Sequence, residues 1–330
     1  MADGMVAPFP WFGGKSKVAP WVWQYFGDVD NYVEPFAGSL AVLLGRPPTH
    51  TAGAETVNDL DRYLANFWRA LQADPDAVAQ YADWPVNECD LTARHIWLVN
   101  EGRARLATLE ADPDFYDAKI AGWWVWGLCS WIGSGWCSGD GPWVVEDGEL
   151  VSLTGQGGVN RKLPHLGSFG PNKIHRLDSG GIYDYMRALA LRLRKVRVCC
   201  GDWQRVVTNG ALSYGVTVGV FLDPPYDANT GRDMSLYNHE TDVSAAVREW
   251  AIANGDNLRL RIALCGYAGE HDMPGDWTEV AWKAKAAYKS HNGDANGNRH
   301  RERIWFSPGC LSNPLLQSVP GWTIPELVEI

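Results

Sequence analysis

The sequence predicts an α/β protein built on a doubly wound sheet, with a second, mainly helical and loop-rich segment inserted into it. Two observations predict this class. Runs of apolar and β-branched residues that end in turn residues alternate with segments whose apolar residues recur at helical spacing. This alternation is typical of a sheet covered by helices. In addition, residues 66–195 lie between two predicted strands, which indicates an insertion. We therefore expect a domain made of residues 1–65 and 196–310, the inserted segment 66–195, and a C-terminal tail, 311–330.

The individual elements follow from caps, periodicity and turn residues. The first part of the chain predicts a helix capped by Ser16 with apolar positions from Val18 to Phe26, a strand and tight turn within residues 31–40, and a helix capped by Asn58 or Asp59 that ends near Asp74-Pro75. The middle predicts further helix over 76–120, loops over 133–181, a helix at Ile182–Leu193 and strands at Val196–Cys200 and 216–222. The last part predicts a loop from Asp227 to Glu240, a helix at Ser244–Ala253, a strand at Leu258–Cys265, and a terminal hairpin of Glu279–Tyr288 and Arg303–Phe306.

Length and composition exclude several classes of protein. No apolar run among the 330 residues is long enough to span a bilayer, and the N-terminus does not resemble a signal peptide. The seven cysteines are scattered without a Cys-x-x-Cys pair, which favours a reducing compartment and no zinc site. We therefore expect a cytoplasmic protein without a metal.

Charge is distributed unevenly along the chain, whose net charge is −10. Residues 161–205 contain ten Lys or Arg and three Asp, and residues 283–303 contain six Lys or Arg and two acids. Net charge is a poor guide when charge is segregated, because the surface that faces a phosphate backbone is what counts. The two basic stretches are compatible with solvated surfaces, but their asymmetry favours a nucleic-acid surface.

Eighteen tryptophans are far above ordinary usage, and five of them crowd together with glycines between them. This cluster consists of Trp123, Trp124, Trp126, Trp131 and Trp136. The more conservative interpretation is a rigid packed core. The functional interpretation is that some of these rings wedge into a duplex or stack on bases, and both can hold for different rings.

The most informative string is Asp223-Pro224-Pro225-Tyr226, directly after the apolar run of residues 216–222. The run predicts a buried strand, and open α/β sheets bind ligands where their strands end. Two prolines make a rigid turn whose nitrogens carry no proton. A carboxylate, a proline carbonyl and an aromatic ring suit a flat ring that bears an amino group. As four residues alone, the string is equally compatible with a simple strand-ending turn.

A second string, residues 31–44, predicts a strand, a tight turn around Gly38 and the apolar start of a helix. Glycine permits close backbone approach to a ligand, and a helix N-terminus presents unpaired amides. Gly13-Gly14-Lys15-Ser16 suggests a phosphate-binding P-loop, but that motif requires glycine at position 9, which is Phe9.

Together these strings resemble the D12 class, or Dam-like, DNA adenine-N6 methyltransferases. Further matches in the order of that family are Pro10–Ser16, Val57–Asp61 and Gly201-Asp202-Trp203. One departure is Leu40, which occupies a position where the family usually has a second glycine. The resemblance implies a Rossmann-like fold, a restriction-modification or DNA-methylation role in a bacterial or phage-infected cell, and S-adenosylmethionine as cofactor.

The resemblance also assigns roles to residues. Asp223, Pro224, Pro225 and Tyr226 would be catalytic, with the carboxylate and the Pro224 carbonyl accepting the amino hydrogens of a flipped adenine that stacks on Tyr226. The positions assigned to cofactor binding are Trp11, Gly13, Gly14, Lys15, Glu34, Pro35, Phe36, Gly38, Asp59, Asp202, Trp203 and Asp223. Asp59 would accept the ribose hydroxyls, and Asp202 the amino group of the cofactor's adenine. A helix cap and a turn aspartate are the simpler interpretations of these two residues.

Segment 66–195 is then expected to recognise double-stranded DNA. The candidate DNA-binding residues are Arg161, Lys162, Lys173, Arg176, Arg192, Arg194 and Lys195. Transfer to cytosine N4 or to RNA remains an alternative, although cytosine-N4 enzymes more commonly carry Ser where Asp223 stands. Two other classes are a non-catalytic DNA-binding relic of the fold and an unrelated nucleotide-binding module.

Overall fold

The computed structural model describes residues 5–11, 13–51, 53–112, 114–131, 136–137, 143–146, 149–152, 181–225, 240–282 and 302–311. The chain divides into two compact units. The first comprises Met1–Val6, Phe12–Asn58 and Asp202–Ile330, and the second comprises Ala7–Trp11 and Asp59–Gly201. The domain division expected from the sequence, and the roles assigned to its parts, stay predictions.

The described strands are β1 (Asn31–Glu34), β2 (Ala54–Asp59), β3 (Trp143–Glu146), β4 (Glu149–Ser152), β5 (Val196–Cys200), β6 (Val218–Leu222), β7 (Leu260–Tyr267), β8 (Thr278–Ala281) and β9 (Glu302–Phe306). The described α-helices are α1 (Ala19–Phe26), α2 (Ala41–Leu44), α3 (Arg62–Ala73), α4 (Pro75–Ala82), α5 (Glu88–Trp97), α6 (Arg103–Leu106), α7 (Ala118–Ser130), α8 (Gly181–Leu193) and α9 (Glu240–Gly255).

A mixed, mostly parallel sheet of seven strands confirms the predicted α/β class. Six of its strands lie in the first unit in the order β2-β1-β6-β7-β9-β8, and β5 belongs to the second unit. β1 pairs in parallel with β2 on one side and with β6 on the other. The chain order therefore reverses at β1, and such a switch point is where doubly wound sheets bind ligands.

Burial explains why the central strands form. All five residues of β6 are buried, as are the four residues of β1. Runs that are apolar on both faces are typical of a sheet covered on both sides. β7 joins β6 in parallel, whereas β9 pairs antiparallel with both β7 and β8. β8 and β9 confirm the predicted pairing at the end of the chain.

The first helix begins later than the sequence suggested. The predicted cap at Ser16 is wrong, because α1 begins at Ala19 with Pro20 in its first turn and has no side-chain cap. The carbonyl of Lys15 instead accepts hydrogen bonds of 3.0 Å from the amides of Val18 and Ala19. Proline in the first turn needs no amide partner, which explains the start.

The second unit is mainly helical. α3 is capped by Asp61, whose Oδ1 accepts the amide of Tyr63 at 2.8 Å, so the predicted caps Asn58 and Asp59 are wrong. β2 continues as far as Asp59, and the helix can begin only after the strand has ended. The predicted end of this helix near Asp74-Pro75 is confirmed, since Asp74 separates α3 from α4.

The tryptophan cluster contributes to the core of the second unit. Trp124, Trp126 and Trp136 are buried, whereas Trp123 and Trp131 are half-buried. The core interpretation is therefore confirmed for three of the five rings. The loop predicted over 133–181 contains an antiparallel hairpin of β3 and β4. Most of that segment, the loop predicted after Asp227 and the basic stretch 283–301 lie outside the described residues.

Candidate active site

The two motif loops leave the same edge of the sheet. β1 and β6 are parallel neighbours, with Val33 opposite Val220. Glu34 ends β1 and Asp223 follows β6, so both strands deliver their last polar residues in one direction. Pro224 is buried and Pro225 is exposed, as expected for a rigid turn that leaves the sheet.

Lys15 and Asp223 form an ion pair at this edge. The distance from Lys15 Nζ to Asp223 Oδ1 is 2.9 Å, and the two side chains are 5% and 20% exposed. Lys15 Nζ also donates a hydrogen bond of 3.0 Å to the carbonyl of Gly13 and lies 6.0 Å from the ring centre of Trp282. The N-terminal Gly-Gly-Lys motif and the Asp-Pro-Pro turn are thus parts of one site.

The backbone conformation of the turn explains why glycine stands at position 13. Gly13 has a φ of +72°, which is in the left-handed region that side chains rarely adopt. In this conformation its carbonyl meets the ammonium group of Lys15. The turn therefore holds Lys15 from both sides, because the carbonyl of Lys15 itself begins α1.

Acidic groups from several strands surround the ammonium group. Burial lowers the pKa of Lys15, but the negative charges of Asp223 and Glu302 raise it, and the result is a pKa above the ordinary range for lysine. Burial, together with the charge of Asp223, raises the pKa of Cys265 well above its usual value. Lys15 is therefore a cation and Cys265 a neutral thiol at physiological pH.

The loop after β1 is held by Asn58, which sequence reasoning had considered only as a helix cap. The side-chain amide of Asn58 donates to the carbonyl of Pro35 at 3.0 Å, and its backbone carbonyl accepts the amide of Ala37 at 2.9 Å. Gly38 follows with a φ of +46°. The signal in the sequence for this role is a polar asparagine side chain at the end of a strand, since such a side chain needs a hydrogen-bond partner when it is buried.

Leu40 occupies the position of the second glycine of the family motif. It has a φ of +54°, a conformation that glycine favours, and its side chain is fully buried. It also precedes α2, which has only four residues. The expected turn is therefore present with leucine in it, although the helix that follows is short.

The segment around Asp202 approaches the first motif loop through aromatic rings. Phe36 and Trp203 have ring centres 6.1 Å apart, and Trp203 in turn contacts Trp250 edge-on at 6.4 Å. Asp202 is exposed and accepts the amide of Gln204 at 2.8 Å. The motif segments that contain Phe36 and Trp203 therefore meet at an aromatic contact.

The remaining candidates near the cofactor motifs belong to the second unit. Asp59 Oδ1 accepts the amide of Asp61 at 3.0 Å. Trp11 packs edge-on against Phe9 at 5.9 Å and lies 6.2 Å from Trp124. The structure thus gives Asp59 a local turn contact and Trp11 an aromatic environment.

A cavity of about 530 Å³ opens in the second unit beside Asp59. Its lining mixes apolar, aromatic and charged side chains: Leu60, Asp61, Arg62, Tyr63, Arg103, Leu106, Glu110, Trp124, Trp136, Cys137, Cys200 and Gly201. Burial and the charge of Asp59 raise the pKa of Asp61 to about 6, against the hydrogen bonds from the Tyr63 and Leu64 amides that lower it. Leu60, at the rim of this cavity, is 76% exposed.

Three of the seven candidate DNA-binding residues lie in the described part of the chain. Arg192 lies half-buried in the last turn of α8, and Arg194 and Lys195 are exposed in the turn before β5. The side-chain amide of Gln72 fixes this turn by donating to the carbonyls of Leu193 and Val196, at 2.6 and 3.0 Å. Arg161, Lys162, Lys173, Arg176 and the catalytic candidate Tyr226 lie outside the described residues.

Within the described part of the chain, no group of three or more His, Cys, Asp or Glu side chains is arranged to hold a metal ion. None of the helices described there is both long and apolar enough to cross a membrane.

Residues 11–88 match the family model of the D12 class N6 adenine-specific DNA methyltransferases. The match covers the segments that contain Lys15, Glu34, Gly38 and Asp59, and it ends before Asp202 and Asp223. It confirms the resemblance to the D12 class and agrees with the α/β sheet. No curated protein matches the chain.

Glu302 and Cys265 were not identified from the sequence. Cys265 lies next to Leu264, which pairs with Leu222 directly before Asp223. Glu302 begins β9 opposite Tyr267 and reaches the same edge because β9 is antiparallel. No spacing rule connects residues on different strands, so only the sheet register shows that these groups face Lys15.

Proposed function

We propose that this chain transfers a methyl group from S-adenosylmethionine to the N6 amino group of adenine in double-stranded DNA. The match of residues 11–88 to the D12 class supports adenine-N6 methylation of DNA in general. The observation that carries the proposal for this chain is the position of Asp223, which follows β6 beside the β1 loop and pairs with Lys15 at 2.9 Å.

The chemistry explains why a carboxylate is required there. The exocyclic amine of adenine is a weak nucleophile because its lone pair is delocalised into the ring. When Asp223 and the Pro224 carbonyl accept its two hydrogens, the lone pair is localised and the nitrogen is oriented towards the electrophile. A nitrogen–carbon bond forms, the electron pair of the carbon–sulfur bond returns to sulfur, and a proton leaves the nitrogen for solvent.

The residues of the first unit fit a cofactor of this kind. S-adenosylmethionine supplies an electrophilic methyl group on a positively charged sulfur. Gly38 permits close backbone approach, and Phe36 and Trp203 offer aromatic faces beside the exposed carboxylate of Asp202.

The target base must leave the duplex to reach Asp223, since the reacting amine is otherwise enclosed in the base stack. We propose that Tyr226 stacks on the flipped base and that the second unit contacts the DNA, with Arg192, Arg194 and Lys195 on the backbone. The enzyme would act in the cytoplasm of a bacterial or phage-infected cell, where such DNA is found.

The test is methyl transfer from labelled S-adenosylmethionine to duplex DNA, followed by digestion to nucleosides. The proposal expects N6-methyladenine. N4-methylcytosine or label in RNA alone would instead support the alternatives, and cofactor binding without any transfer would indicate a relic. Asp223→Asn, which keeps the shape of the side chain, should abolish transfer. Asp276→Asn, at an exposed aspartate of the same unit, is the matched control and should remain active.

A further inference from the structure

Lys15 is one of the few charged side chains that is almost fully buried in the first unit, at 4% exposure. A buried charge is tolerated only when it is paired and hydrogen-bonded. Lys15 satisfies that requirement with two partners at the site, Asp223 Oδ1 at 2.9 Å and the Gly13 carbonyl at 3.0 Å. The more exposed partner, at 20%, is the carboxylate on which the proposed reaction depends.

The position of Lys15 is set by the backbone on both sides of it. Its carbonyl accepts the amides of Val18 and Ala19 at the start of α1, and Gly13 turns back towards its ammonium group. By contrast, the terminal torsion of an aspartate side chain is broad and roughly two-fold. An ammonium group held by the backbone therefore restricts the rotation of the Asp223 carboxylate.

The ionisable groups around Lys15 come from three neighbouring parts of the sheet: Asp223 follows β6, Cys265 lies on β7 and Glu302 begins β9. Burial by itself lowers the pKa of Lys15, and the negative charge near it keeps that pKa above the ordinary range. Lys15 therefore keeps its positive charge and pairs with the Asp223 carboxylate at 2.9 Å.

We propose that Lys15 is the positioning residue for Asp223: it fixes one carboxylate oxygen at 2.9 Å and so orients the group to accept a hydrogen of the target amine. This inference rests on the proposed function and deepens it. It also distinguishes two roles for the Gly-Gly-Lys motif. A lysine that binds the cofactor would alter cofactor affinity, whereas a positioning lysine alters the rate of transfer.

The experiment compares Lys15→Met, Lys15→Arg and the wild type by kcat, KM and cofactor Kd. Lys15→Met should lower kcat by about 10²-fold, the effect of misplacing a reacting group by about 1 Å, while its cofactor Kd stays within about threefold of the wild-type value. Lys15→Arg keeps a cation beside Asp223 and should recover most of the lost kcat.

Lys17→Met is the matched control and should leave kcat, KM and cofactor Kd unchanged. A Lys15→Met variant with unchanged kcat would overturn the inference, and so would one whose main defect is in cofactor Kd. If Lys15→Met does not fold, Lys15→Arg decides, because a weakened cofactor Kd with an unchanged kcat in that variant contradicts the proposed role. A wild type that binds cofactor but transfers no methyl group removes the proposed function itself.

Discussion

The indole ring of Trp136 packs directly against the backbone of Gly127 in the middle of α7. A Cβ atom added to Gly127 would lie 1.7 Å from Cζ2 of Trp136, far inside any allowed contact. Trp136 is fixed there by a hydrogen bond of 3.0 Å from its Nε1 to the carbonyl of Trp124. The glycine in the tryptophan-rich helix is therefore required by the packing of a ring.

This contact predicts that Gly127→Ala destabilises the protein, although alanine is the better helix former by about 1 kcal/mol. The steric effect should dominate and lower the free energy of unfolding by about 1–3 kcal/mol, as overpacking does. Denaturant unfolding measures it. Gly210→Ala, whose Cβ meets open space, is the control and should be close to neutral. Trp136→Leu, which replaces the indole ring by a smaller aliphatic side chain, should reduce the effect of Gly127→Ala if the contact is the cause.

The left-handed backbone of Leu40 predicts that a change to glycine destabilises the protein less than a change to alanine, the reverse of the order inside a helix. A non-glycine residue in the left-handed region loses about 1–2 kcal/mol, yet the fully buried side chain contributes more than that. Leu40→Ala should lower the free energy of unfolding by about 2–5 kcal/mol, because it removes the packing and keeps the strain. Leu40→Gly should be less harmful, since it removes both.

The control for this order is Leu43, which is equally buried but lies inside α2 with ordinary helical geometry. There glycine should be worse than alanine by about 1 kcal/mol. The same order at both positions would show that the backbone of Leu40 is not strained. Unfolding curves of the four variants under one set of conditions make the comparison.

The sequence analysis predicted most of the strands and their ends, because apolar runs that stop at turn residues depend on local composition. β5 lies where it was predicted, and Asp223 directly follows β6. Helix starts were predicted less well. Around β2, three neighbouring polar residues have similar capping preferences, and the length of the strand, which is a tertiary property, selects Asp61.

The sequence predicted which segments form the candidate site but not which of their residues contact one another. The Gly-Gly-Lys and Asp-Pro-Pro strings were identified, but the sequence carries no information that Lys15 meets Asp223. That contact depends on the register of β1, β6 and β7 and on the turn at Gly13.

The Lys15–Asp223 pair predicts a thermodynamic coupling. Asp223→Ala leaves the more deeply buried partner without its counter-charge, so it should destabilise more than Lys15→Met, which leaves a partly exposed carboxylate. The double variant should be more stable than the sum of the two single effects by about 1–3 kcal/mol. Because the pKa of Lys15 is raised, its contribution is fully present below the ordinary lysine pKa of 10.5. It is lost only as pH rises through the higher folded value. Coupling that is absent, or that changes between pH 6 and 9, would contradict the pair.

The raised pKa of Asp61 predicts that the free energy of unfolding falls as pH rises, whereas an ion-paired acid would make it rise. Its pKa is raised from 3.8 to about 6, so the folded state binds the proton more tightly than the unfolded state. Stability should therefore fall as pH rises from about 4 to 6, by on the order of 3 kcal/mol at most. Asp61→Asn keeps a capping oxygen and should remove this fall. Asp74→Asn, at the cap of α4, is the control. Parallel pH profiles for wild type and Asp61→Asn would exclude the burial of a charged Asp61.

The turn after α8 predicts how DNA affinity depends on salt if the proposed function is correct. Arg192, Arg194 and Lys195 lie within four residues, in a turn that Gln72 fixes. Each cation that contacts a phosphate releases about one counterion on binding, so neutralising all three should flatten the plot of log affinity against log salt by about one unit per lost contact.

Arg187 of the same helix is the matched control. It donates to both carboxylate oxygens of Asp76, at 2.7 and 3.0 Å, and to Asp184 at 3.1 Å, so its charge is already compensated within the protein. Arg187→Gln should leave the salt dependence unchanged, whereas the triple variant should weaken binding to duplexes of any sequence. Fluorescence anisotropy with two unrelated duplexes between 50 and about 200 mM salt covers the range in which phosphate contacts are most sensitive. If the triple variant keeps the wild-type slope, this turn does not contact the backbone, and the DNA-binding surface must be sought on another part of the chain.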